Sequence, residues 1–204
     1  MPSLDGIFFD PMKIFKSIAL LLLLFLPGAI YLFLQGFGKN KFDIPIYYST
    51  GVDTLTACGQ LMVAGQYHVD PIPAISGQLM DKVTLYDFGV LSDSNFVSQR
   101  NNLLTFLTKF KSEERLQVAS LYTTDSLYTT LEGYSILKYV RVDSSIFKTF
   151  VSCQLFVFDG DKASSEALPM VLVDKERKIR GYFNPNDLEE IDRLNIEVNI
   201  LLNE

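Results

Sequence analysis

The chain has 204 residues, of which 48% are hydrophobic and 21% charged, enough for one ordinary domain plus an appendage and too apolar for a disordered protein. A formal net charge of −6 argues against nucleic-acid binding, which needs a basic face to displace counterions. One histidine and two cysteines leave little room for a structural zinc site or a disulfide framework.

The first element is apolar. Residues 18–34 carry no charge, and only Pro27 and Gly28 interrupt the run. Extended to residues 14–37, it reaches roughly 36 Å as a helix, against a bilayer core of about 30 Å. Lys16 lies close enough to the start to snorkel, and Pro27 is tolerated inside a membrane helix. Bulky Tyr31, Leu32 and Phe33 stand where a cleaved secretory signal would place small residues, so an uncleaved anchor is expected. Lysines flank the run on both sides and decide its orientation weakly. The expected organisation is a cytoplasmic N-terminus over 1–13, a transmembrane anchor over 14–37, a linker and lead-in over 38–66 and a folded domain over 67–204. A single anchor followed by an acidic body suits a bacterial inner-membrane protein with its soluble domain on the periplasmic side.

Pro45, Gly51, Gly59 and Gly65 punctuate an irregular lead-in. Residues 82–90 then form the short apolar run of a buried strand. Capping residues at 92–95 precede a helix with apolar positions at Phe96, Leu103, Leu104, Leu107 and Phe110. Strands are predicted over 116–122 and 137–142, and a helix over 144–156. Residues 170–173 and 179–183 read as a hairpin around a charged turn. Asn184 is expected to cap a last helix with Pro185 at its first position, burying Leu188, Ile191, Leu194, Val198 and Leu201. Strand, helix and strand followed by a hairpin and terminal helix is the order of a thioredoxin-like α/β domain, with a central mixed β-sheet flanked by helices.

Several stretches resemble the Sco/SenC family, membrane-anchored thioredoxin-fold proteins that assist copper-site assembly in cytochrome c oxidase. The most specific are LVDKERKIRGYF at 172–183 and DLEEIDRL at 187–194; YHVDPIP at 67–73, residues 82–110 and the N-terminal anchor are similar too. The resemblance implies a Cys-x-x-x-Cys pair just after the central strand and a histidine before the hairpin, which together hold copper. Those cysteines should fall near Asp93 and Val97 and the histidine near Glu166, yet residues 92–97 and 163–169 contain neither residue type. A carboxylate is a poor substitute for soft or borderline copper ligands, and thiol exchange needs a sulfur. The chain therefore reads as a degenerate member with no catalytic residue at the expected positions and no cofactor. Pro169 stands where thioredoxin-like proteins place the cis-proline of their substrate groove; cis and trans both remain open. With Ser92 and Asp93 it would form the natural partner surface.

Other candidates are weaker. Asp87, inside the apolar strand, matches the buried carboxylate of many thioredoxins; without thiols to serve, a hydrogen-bonded interior group is the plainer reading. Cys58 and Cys153 could form a disulfide, could bind a metal with His68, or could be an unpaired residue and a buried inert one, the plainest of the three. Residues 36–40 lack the spacing of a phosphate loop, and residues 159–162 lack the oxygen ligands of a calcium loop. Lys175, Arg177, Lys178 and Arg180 could meet lipid headgroups or an acidic partner, with a solvated turn as the default. His68 is the only candidate base, and no serine has a nucleophile-elbow context. The expectation is a non-catalytic, membrane-anchored factor that binds a respiratory-assembly partner such as a cytochrome c oxidase subunit. The alternatives are a copper or thiol-redox protein using Cys58, Cys153 and His68, and a structural envelope protein without a respiratory role.

Overall fold

A computed structural model describes residues 11–37, 43–52, 58, 63–72, 81–88, 97–123, 131–157 and 168–204. The chain divides into two compact units, Met1–Asp43 and Ile44–Glu204. The first holds helix α1, Pro11–Phe37, with Pro27 inside it. Its stretch Phe15–Phe33 is long and apolar enough to cross a membrane.

The second unit is a thioredoxin-like α/β domain. Its main sheet contains β3 (Val83–Asp87), β4 (Leu116–Tyr122), β5 (Leu137–Arg141), β6 (Met170–Val173) and β7 (Ile179–Phe183), in the order β5-β4-β3-β6-β7. The β3–β4 and β4–β5 pairs are parallel; the β3–β6 and β6–β7 pairs are antiparallel. Every residue of β3 is buried, as a central strand covered on both faces requires.

Alternation along the strands builds two cores. Val83, Leu85, Val118 and Leu172 face one way, toward α2 (Val97–Lys109) and α4 (Leu188–Leu201), and pack with Leu103, Phe106, Leu107, Leu194 and Val198. Tyr86, Ala119, Leu121, Val171 and Val173 face the other way and pack with Val69, Phe150, Val151 and Leu155.

The lead-in belongs to the folded unit and is not a linker up to residue 66. Its short strands β1 (Gly51–Val52) and β2 (Val63–Ala64) pair antiparallel, and Ile44, Val52, Tyr67, Val69 and Ile72 are buried. Backbone N–H groups of Tyr47 and Val69 donate to the carbonyls of Ile179 and Arg177, at 2.9 and 2.8 Å, beside β7 at the end of the sheet order.

Two helix expectations need correction. The helix over 144–156 is α-helical only at α3, Ser144–Thr149, and continues as a π-helical turn, Phe150–Gln154. Apolar Phe150 and Leu155 are five apart; the wider turn seats Leu155 in the core and leaves Gln154 at its side. The cap of α4 is Asp187, whose side chain accepts from the Glu189 N–H at 2.9 Å; Asn184 instead accepts from the Asn186 N–H at 3.0 Å, in the turn before it. The helix thus starts later than Pro185, and Leu188 in its first turn is exposed while Ile191, Leu194, Val198 and Leu201 are buried.

Candidate functional site

The parallel strand β3 runs out at Asp87 toward the N-terminus of α2, where α/β folds gather ligand-binding groups. Val97, one of the two expected cysteine positions, is the first residue of α2 and is exposed. Ser92, Asp93 and Glu166 lie outside the described residues, as do residues 159–162. Pro169 is half-buried directly before β6. No peptide bond among the described residues is cis, so the Leu168–Pro169 bond is trans. The register places Tyr86 opposite Val171, which brings Pro169 to the end of β3 where the chain leaves the sheet.

Below this end lies a polar row in the α2-facing core. Asp87, Ser120 and Tyr139 are paired across β3, β4 and β5. Asp87 is fully buried; its Oδ2 accepts from the Ser120 hydroxyl at 2.9 Å and its Oδ1 from the Gln99 Nε2 at 3.3 Å. The Tyr139 hydroxyl accepts from the Leu131 N–H at 2.9 Å. Burial pushes this hydroxyl's pKa up, opposed by the Leu131 hydrogen bond and reinforced by the charge of Asp87. Asp87 is thus the hydrogen-bonded interior group that its sequence context suggested. This arrangement holds and orients the Asp87 carboxylate.

Cys58 and Cys153 correct the expectation of an unpaired and an inert cysteine. They form a disulfide with their Cα atoms 5.5 Å apart, joining the lead-in to the π-helical turn. The exposed His68 turns to the hairpin, where its Nδ1 lies 2.8 Å from the Glu176 carbonyl oxygen. No three His, Cys, Asp or Glu side chains converge as a metal site among the described residues.

The hairpin basic cluster is largely neutralised. Lys178 pairs with Glu176, and Arg177 reaches Asp70 at 4.0 Å. Arg180 is buried, with one guanidinium nitrogen 3.0 Å from the Asp174 carboxylate and another donating to the Ile44 carbonyl at 3.1 Å. The same Asp174 accepts from the Glu176 and Lys178 N–H groups, closing the turn.

Sequence reasoning missed a groove of about 330 Å³ between Asp70–Ile72 and the α3–π-helical segment, lined by Pro71, Ile72, Ile146, Phe150 and Gln154. Its edge is fixed by Gln154, whose Oε1 accepts from the Tyr67 hydroxyl at 2.6 Å and the Asp70 N–H at 3.1 Å. Only the exposed Ile146, on a helix otherwise polar at its start, hinted at it.

No protein-family model matches the chain, and no curated protein is similar enough to count as a relative. Among solved structures the chain is similar to BsSco, a member of the Sco family of cytochrome c oxidase assembly proteins. The identity is 14% over 68% of this chain and 95% of that one, with a TM-score of 0.53. A SCO1/SenC family lipoprotein from Bacillus anthracis str. Ames is 13% identical over 62% of this chain and 84% of that chain, with a TM-score of 0.48. A putative protein disulfide isomerase from Bacteroides thetaiotaomicron is 18% identical over 63% of this chain and 78% of that chain, with a TM-score of 0.45. The likeness to BsSco establishes the fold, and the thioredoxin-like expectation holds.

Proposed function

We propose that the chain is a membrane-anchored, Sco-like protein that works by binding a partner in respiratory-chain assembly, such as a cytochrome c oxidase subunit, without catalysing thiol or copper chemistry at the family's usual position. One observation carries this reading: a fold shared with BsSco combined with the absence of cysteine from residues 92–97. A chain without sulfur at residues 92–97 lacks the family's nucleophile and soft ligands there, while the exposed Val97 supports a contact role. The apolar helix α1 supports a single-pass anchor, which would concentrate even a weak binder beside membrane-embedded partners. The Cys58–Cys153 disulfide supports a domain on the oxidising, periplasmic side of a bacterial inner membrane.

The test is crosslinking and copurification from native membranes with a bait carrying a photoreactive residue at Val97. Recovery of oxidase subunits, lost when Val97 and Pro169 are both replaced by Asp, is the expected result. Recovery of no respiratory protein would favour a structural envelope role. Loading the reduced protein with Cu(I) is the second arm. Copper retained by the parent chain and lost in Cys58→Ser or Cys153→Ser protein would replace this reading with one based on Cys58, Cys153 and His68.

A further inference from the structure

The disulfide has a direction built into its surroundings. Cys58 and Cys153 are the chain's only cysteines, so one pairing exists and an isomerase has nothing to correct. They are separated by 95 residues, and Cys153 sits on the turn that follows α3. Cys58 therefore waits as a thiol until most of the domain has been made. An oxidant must then close the bond.

Once closed, the two sulfurs are unequal. Cys58 is half-buried, whereas Cys153 is 5% exposed. An incoming thiolate can approach Cys58 and would have to expel Cys153 as a thiolate at a position almost closed to water. Burial disfavours that charged form, which makes Cys153 a poor leaving group. The one polar group beside it does not help. Ser152 Oγ lies 3.3 Å from the Cys153 sulfur but also 2.6 Å from the Lys148 carbonyl, which can only accept. The hydroxyl proton is committed to that carbonyl, and the oxygen offers the sulfur a lone pair. That arrangement suits a neutral thiol and not a thiolate.

We propose that Cys58–Cys153 is a one-way maturation bond: the chain is the substrate of a disulfide-carrying oxidoreductase, and folding then shields the product from exchange. In the forward step the Cys58 thiolate attacks the carrier's disulfide and forms a mixed disulfide. Before the domain closes around it, the Cys153 thiolate attacks the Cys58 sulfur of that mixed disulfide, breaking its bond to the carrier, whose sulfur leaves as a thiolate. The carrier leaves as a dithiol, having taken up two electrons and two protons, and the chain gains one S–S bond. The pair is distinct in sequence from residues 92–97, where the family resemblance expects its own cysteines, and the inference does not depend on the partner-binding reading.

The experiment uses the full chain in detergent micelles and counts thiols by a maleimide–polyethylene glycol gel shift. Dithiothreitol at pH 8 is expected to open the native bond at least about tenfold more slowly than the bond in urea-unfolded chain. Equal rates would overturn the proposal and mark the pair as exchange-active. Single variants give a second readout. The lone Cys58 of Cys153→Ser protein is expected to react with a neutral maleimide at least about tenfold faster than the lone Cys153 of Cys58→Ser protein. Equal or reversed reactivity would also overturn it. Incubating the reduced chain with an oxidised protein bearing a Cys-x-x-Cys disulfide should trap a mixed disulfide in Cys153→Ser and not in Cys58→Ser protein; trapping only through Cys153 would refute the assigned order.

Discussion

Asp87 and Glu197 are both acidic groups turned inward, and they behave differently because of what surrounds them. Asp87 accepts two side-chain hydrogen bonds in the core. Asp87→Ala would strand Gln99 and Ser120, both almost fully buried, and should lower unfolding free energy by about 2–4 kcal/mol in a urea titration. Glu197 has one oxygen buried without a partner, and its other oxygen reaches Arg193 only at 3.8 Å. Burial raises its pKa, opposed by Arg193. Because the folded state holds this proton more tightly than the unfolded chain, its contribution to stability is fully present below the unfolded pKa and lost as pH rises through the folded one. Glu197→Gln should therefore raise Tm relative to the parent by an amount that vanishes in acid, grows as pH rises from the unfolded pKa through the folded one and then levels off, as read by thermal melts across pH. The buried carboxylate at 87 was legible from its apolar neighbours in the sequence. Its partners were not, because Gln99 and Ser120 meet it only once α2 and β4 have packed.

Among the elements, those with a strong period were legible and those held by distant contacts were not. The apolar run of β3 and the spacing of Ile191, Leu194, Val198 and Leu201 announce a central strand and an amphipathic helix. The lead-in has no such period: its buried residues are scattered and are held by bonds to β7, to Gln154 and to Arg180, all far along the chain. The α4 cap was misplaced because Asn184 and Asp187 both have capping chemistry, and only backbone geometry separates them. Asp187→Ala should cost about 1 kcal/mol of stability. Asn184→Ala should cost less, and equal losses by urea denaturation would argue against the cap at 187.

At the scale of the whole molecule, the folded unit begins at Ile44, well before residue 67. A chain starting at residue 44 should be soluble and unfold cooperatively. One starting at residue 67 lacks Ile44, Val52 and Cys58, and should have a lower urea midpoint and an unfolding free energy smaller by at least about 3 kcal/mol, combining lost apolar burial with the lost disulfide. Two equal urea midpoints would show that the lead-in is dispensable. The candidate site was legible only as an expected stretch, residues 92–97, which contains no cysteine. The 95-residue separation of the cysteines carried no signal that they would meet.

That covalent loop also has a mechanical meaning. A pull between the N-terminal helix and the end of α4 would enter the domain at Ile44, where the Arg180 bond to the Ile44 carbonyl and the Tyr47 bond to Ile179 bear the first load. The chain between Cys58 and Cys153 is short-circuited by the sulfur bridge and cannot extend. Tension can lengthen only the segments on either side of it, so a domain tugged by a bound partner would yield at its margins while most of its central sheet, β3 to β5 included, stayed inside a closed ring.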